Sequence, residues 1–290
     1  MIRISIEPTT FEILDMQHGQ NPYIDIQHRV DKAKVARQHK AVETAFRHMV
    51  TYRLPRTTEK LPDIVFVANG GLALPRLPVP LVLLPWMKYP QRRAELPYLE
   101  AMFAKLGIAT HPFPGSKAAP FEGAAELKWF HGGRLAVCGP GWRSTRETFR
   151  RLNHLLKEIY EEYGLPGPEL LVLPLISDNY YHLDVAMLEF DDDKCVIHKR
   201  AFSPASIRSL QKALGPSNVT VLDTTDSFCL NAVVDGRRLI THRLTDPAVR
   251  PILERATGCH VHEVDTSEFE RSGGSVRCMT LDIPLGSLQI

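Results

Sequence analysis

No two of the five cysteines, Cys138, Cys195, Cys229, Cys259 and Cys278, form a C-x-x-C pair, and their number is odd. That disfavours a disulfide framework and a zinc knuckle, and predicts free thiols in a reducing compartment. Charge of one sign is lacking too. The formal net charge is +2 at pH 7 with no block of like charges, so neither nucleic acid nor a membrane surface has electrostatic support as a partner. The longest apolar run, at 77–87, is broken by prolines and is too short to span a bilayer. The opening stretch MIRISIEPTTFEIL has no basic segment followed by an apolar one, so no signal peptide is expected. No G-x-G-x-x-G follows a strand pattern and no G-x-x-x-x-G-K-S/T occurs, which leaves a nucleotide without a visible cradle. His260, His262 and Glu263 alternate suggestively but lack a further ligand at a useful spacing. The expectation is a cytoplasmic protein without metal or cofactor, acting on a small molecule. A homo-oligomer stays open.

What is present is a recurring pattern. The 290 residues are 44% hydrophobic and 23% charged, enough for a substantial core. Strand patterns alternate with amphipathic helix patterns in ββαβ order. One unit runs from DIVFVANGGLAL through LVLLPW and RRAELPYLEAMFAKLG to IATHPF. A second starts at ELKWFHGGRLAVCG, a third at YYHLDVAMLEF and a fourth at FCLNAVVDGRRLITHR. The fifth is split, with GGSVRCMTLDI at one end of the chain and RISIEPT with the helical HKAVETAFRHMV at the other. Starts near 64, 126, 181, 228 and 276 are unequally spaced, as loops varying around one unit would make them. Gly132-Gly133, the run Asp191 to Asp193, and Asp235-Gly236 supply hairpin turns. The fold class expected is α/β, with five ββαβ units stacked radially as a propeller in a single domain, 1–290.

In such a ring the first strands would converge on one axis. The polar residues on them are Asn69, His182, Asn231 and Cys278, with Glu122 just before the second. Each alone reads most simply as a satisfied core group; several at one axis make a candidate site. Cys278 and His182 suit a nucleophile and its proton acceptor, since the thiolate is the reactive form. The other four cysteines have no histidine in matching register and read as structural. Asp184 follows His182 by two, which on a strand puts both on one face. Glu122 and Asp184 beside a cysteine would suit a cationic, planar, multi-donor group such as a guanidinium; alternatively Asp184 only orients His182. Arg92, Arg93 and Arg143 sit where loops meet helix starts, a commonplace position for arginine.

The segments FEG (121–123), YHLD (181–184), LNA (230–232) and SGGSVRCMT (272–280) together resemble the guanidine-modifying, or pentein, superfamily, in that family's order along the chain. The resemblance implies a five-bladed ββαβ propeller. It also implies that Cys278 attacks the guanidinium carbon, His182 shuttles protons, and Glu122 and Asp184 hold the substrate nitrogens. Asn69 stands where deiminases and dimethylarginine hydrolases carry aspartate. With Asn21-Pro22, and with FEGAAEL placing an acid at Glu126, it looks like the arginine dihydrolases, which release ornithine, carbon dioxide and two ammonia. PQRRAE is similar to the family's PERxGE, so Arg92, helped by Arg143, is expected to grip the substrate carboxylate, with Asn21 as a further binding residue. Lys88-Tyr89 and Ala94 depart from the pattern and bear on specificity. Two readings compete: single-step hydrolysis of arginine or a methylated arginine to citrulline, and a non-catalytic propeller that binds a partner. The loop 110–120 is a candidate lid.

Overall fold

The computed structural model describes residues 1–14 and 21–286. Its strands form five three-stranded sheets. In every sheet the first strand pairs antiparallel with the second, and the second runs parallel to the third. A parallel partner cannot be reached by a tight turn, so each sheet carries a crossover helix. Leu72–Ala73, Leu81–Leu84 and Ala109–Pro112 are joined through the helix Leu96–Lys105. Leu127–Phe130, Leu135–Cys138 and Glu169–Val172 are joined through Arg146–Glu162. Met187–Glu189, Cys195–His198 and Val219–Leu222 use Pro204–Leu214, and Val233–Asp235, Arg238–His242 and His260–Val264 use Val249–Thr257. The split unit is present: Leu281–Ile283 pairs with Ile2–Ile6, which lies beside Val50–Tyr52 after the helix Lys32–Ala45.

Local chemistry accounts for these elements. Along Arg146–Glu162 the buried Phe149, Leu152, Leu155, Leu156, Ile159 and Tyr160 recur at three- and four-residue steps. Thr145 and Thr148 close a reciprocal cap at its start. Ser203 caps Pro204–Leu214 with proline in its first turn, and Gly258 ends Val249–Thr257 in the left-handed region at φ 67°. The middle strands Leu81–Leu84, Leu135–Cys138 and Cys195–His198 are buried throughout, whereas the third strands Ala109–Pro112 and Glu169–Val172 are largely open to solvent.

The leading segments differ from expectation. Val67–Gly70 is a 3-10 turn and the strand after it has two residues; 276–279 is a turn, so Cys278 precedes the strand Leu281–Ile283 instead of lying on it. His182 flanks a single helical turn, Leu183–Ala186, so the strand argument for Asp184 fails. Short apolar runs carry no period that separates a buried strand from other buried backbone. Among the described residues no helix is long and apolar enough to cross a membrane.

Candidate active site

Each unit contributes an irregular segment just ahead of its first strand, and these segments carry the polar residues. Ala68 N–H donates to the Cys278 carbonyl at 3.1 Å, tying the first segment to the last. Gly123 packs its Cα within 3 Å reach of three carbonyls for any added Cβ, those of Gly71, Ala68 and Asn69, with φ at +64°. Only glycine fits where Glu122 enters the site.

Cys278 is 3% exposed. Its thiol donates to Asp184 Oδ2 at 3.2 Å and accepts from Asn231 Nδ2 at 3.1 Å. Asn231 Oδ1 accepts the backbone N–H groups of Arg277 and Cys278, at 3.0 and 3.2 Å, which fixes the turn holding the sulfur. Burial, followed by the Asp184 carboxylate, pushes the thiol well above its usual range, so the site without substrate holds S–H. Asp184 Oδ1 is buried without a hydrogen-bond partner.

Glu122 is fully buried, with Oε2 2.9 Å from His182 Nε2 and 3.4 Å from Arg143 Nη1. Its Oε1 accepts the Lys88 backbone N–H at 3.1 Å. Burial alone would raise this carboxyl; the Arg143 guanidinium and the His182 hydrogen bond outweigh it and hold Glu122 ionised far below the carboxylate range. Glu126 behind it is raised by burial and by the Glu122 charge, so the two acids are pushed apart. Arg143 lies between two aromatic faces, 4.9 Å from the Tyr89 ring centroid and 4.7 Å from that of Tyr181.

Asn69, Arg92, Arg143, His182, Asn21 and Cys278 line one tight cleft, with room for about one water. Glu122 and Asp184 do not line it; they stand behind His182 and the thiol. Asn69 Nδ2 is buried without a hydrogen-bond partner. Arg92 spends its Nε and Nη2 on Glu95, at 2.8 and 2.9 Å, with Nη2 also reaching the Asp63 carbonyl at 3.0 Å. Asn21 donates to the Ser272 carbonyl at 3.0 Å and accepts from Tyr23 N–H, so both ends of its amide are engaged.

Several lining residues escaped the sequence reading. Asp63 accepts from the Ser272 hydroxyl at 3.3 Å and is raised by burial, and Tyr181 donates to the Gly273 carbonyl. A lone acid in an apolar run and a tyrosine beside a histidine gave no spacing signal. The loop 110–120 contributes no lining residue and is tied to the helix Arg146–Glu162, through Thr145 to the Ala118 carbonyl and Thr148 to that of Pro120. One further expectation is corrected: Cys229 does meet a histidine, His198 Nε2 at 3.6 Å. Burial raises that thiol and drops His198 to about 4, so the pair is neutral. Among the described residues no group of three or more metal-ligating side chains assembles. A larger open hollow, about 740 Å³, between Arg146–Glu162 and Glu169–Val172 shares no residue with the cleft.

No protein-family model matches the chain. It is 26% identical over 272 residues to the bifunctional arginine dihydrolase/ornithine cyclodeaminase ArgZ of Synechocystis sp., covering 93% of this chain and 36% of that protein. It thus spans about a third of that relative's length. It is 27% identical over 284 residues to the N(G),N(G)-dimethylarginine dimethylaminohydrolase of Mycobacterium tuberculosis, covering 97% of this chain and 85% of that one. The crystal structure of the N-terminal domain of ArgZ bound to product superposes with a TM-score of 0.79 at 24% identity, over 96% of both chains. The resemblance to guanidine-modifying hydrolases runs the length of the chain, in sequence and in fold.

Proposed function

We propose that this chain hydrolyses the guanidinium group of free arginine through a covalent intermediate on Cys278, yielding ornithine, carbon dioxide and two ammonia. The observation that carries the reading is the Cys278 thiol 3.2 Å from the Asp184 carboxylate, in a cleft shared with His182 and Asn69. The reading includes a single domain over 1–290 whose five sheets are the blades of a propeller.

In the empty site burial, and after it the negative field of Asp184, keeps the proton on sulfur. A guanidinium cation entering the cleft in front of His182 and the thiol offsets that field and lets the proton pass from sulfur to His182. The thiolate then attacks the guanidinium carbon, His182 protonates the departing nitrogen, and ammonia leaves a thiouronium on Cys278. Water, losing a proton to His182, attacks that carbon, the C–S bond breaks, and a ureido product forms. A second round breaks the remaining C–N bonds; arginine plus two waters balances ornithine, carbon dioxide and two ammonia. Asn69 distinguishes the rounds, since its amide donates a hydrogen bond to the neutral ureido carbonyl where a carboxylate only accepts. Its Nδ2, buried and unpartnered, is available for that contact. Arg143, Arg92 and Asn21 line the same cleft and are the groups assigned in this reading to the substrate's amino-acid end.

A second reading stops at citrulline, from arginine or a methylated arginine. The similarity to the dimethylarginine hydrolase, which covers most of that relative, favours it. Incubation with arginine, following ornithine, citrulline and ammonia together with Cys278→Ser as control, decides between them. Ornithine with two ammonia supports the first reading, citrulline with one ammonia the second, and no turnover of any guanidine sinks both.

A further inference from the structure

The helix Arg146–Glu162 buries one face and leaves Arg146, Arg150, His154, Lys157, Glu158 and Glu161 open to solvent. Its charges are sorted along its length. The first half carries Arg146, Arg150 and Arg151 against Glu147; the second carries Glu158, Glu161 and Glu162 against Lys157. The last turn holds no basic residue, so its acids face the negative end of the helix dipole, the arrangement an isolated helix disfavours. The sorting is also symmetric. Arg146 and Glu162 each stand eight residues from His154, and Arg150 and Glu158 each stand four, about 6 Å along the axis.

We propose that this face is a self-association surface, on which a second copy of the chain lays the same helix antiparallel about a two-fold axis near His154. A two-fold interface must be complementary to itself, and a helix positive in one half and negative in the other meets that condition only when antiparallel. The partner's acidic half then lies over the arginines, and its arginines offset the acids at the dipole's negative end. Apolar area is at hand: Val172 is 37% exposed and lines the same hollow as Arg146 and Arg150, and Ile176 and Tyr163 are exposed on the segment following the helix. Because exposed ion pairs carry the recognition, the dimer is salt-sensitive. None of these residues belongs to the cleft around Cys278, so the inference stands apart from the proposed reaction.

Sedimentation velocity of the full chain at low and at high ionic strength tests it. A dimer is expected at low salt, loosened at least tenfold in dissociation constant at high salt. Reversing the acids (Glu158→Lys with Glu161→Lys and Glu162→Lys), or the bases (Arg146→Glu with Arg150→Glu and Arg151→Glu), is expected to give monomer in each case. Mixing the two variants is expected to restore a dimer, which misfolded proteins would not do. A monomer at low salt across the concentration range, or a dimer indifferent to both reversals, overturns the proposal.

Discussion

Cys278 Sγ and Asp184 Oδ2 stand 3.2 Å apart, ninety-four positions from each other in the chain, and burial with the carboxylate added to it holds the thiol in its protonated form. On the proposed mechanism the sulfur is therefore at rest until a cation arrives. Replacing Asp184 by asparagine removes the raising charge and leaves the burial, so the Cys278 titration should move to lower pH. The pH dependence of thiolate absorbance, taken as the difference from Cys278→Ser, reads this directly; a midpoint unmoved in Asp184→Asn would show that burial alone sets it.

Asn69→Asp replaces a donor with an acceptor. The variant should still convert arginine and should accumulate citrulline, with ornithine down by about tenfold or more, the worth of one or two hydrogen bonds to a buried group. Undiminished ornithine would remove Asn69 from the second round.

Arg143→Met takes away the cation that keeps Glu122 ionised and the stack between Tyr89 and Tyr181. The Glu122 carboxyl should rise and loosen its hold on His182. The expected loss in kcat/KM is on the order of 10²–10³, with the acid limb of the pH–rate profile displaced upward. A uniform loss with no displacement would mean that Arg143 serves binding alone.

His242 lies 2.7 Å from Asp226 Oδ1 and 3.4 Å from Glu270 Oε1. Burial lowers it, but the two carboxylates prevail and raise it from 6.5 to about 9. A histidine whose folded value is raised adds stability that is full below its unfolded value and lost as pH climbs through the folded one. The Tm gap between the natural protein and His242→Gln should be widest below pH 6.5 and shrink toward pH 9, from a contribution on the order of 3 kcal/mol. A gap constant over that range would assign His242 to packing alone.

Gly274→Ala would put a Cβ 2.2 Å from the Phe66 ring, a clash that side-chain motion cannot relieve in a packed core. Unfolding should cost roughly 1–3 kcal/mol less in denaturant titrations. Combining it with Phe66→Leu should recover part of the loss.

The repeat was legible because crossover helices have strong periods: the face through Phe149, Leu152, Leu156 and Ile159 shows at once in the sequence. So was the split unit, since its strands keep their apolar alternation at both ends of the chain. Asn69, His182 and Cys278 were legible as polar interruptions, yet they lie on turns instead of strands, while Glu122 stands ahead of its strand as expected. Four of the leading segments, 67–70, 183–186, 227–230 and 276–279, are turns or short helical turns where strand was expected, because buried turns borrow the same apolar residues. Asp63 and Tyr181 remained hidden, since only the tertiary fold brings them beside Ser272 and Gly273. Arg92 lines the cleft, but its pairing with Glu95 three residues on was not foreseen.

The sheet that joins Leu281–Ile283 to Ile2–Ile6 makes the two ends of the chain neighbours, with Arg3 bonded to Asp282. Cys278 sits just ahead of that closing strand. A nascent or damaged chain that lacks Ile2–Ile6 keeps the contacts of Ala68 and Asn231 with the turn bearing Cys278, but leaves the strand that follows it, Leu281–Ile283, without its partner. On the proposed reading, turnover would then report that the closing strand has found its partner.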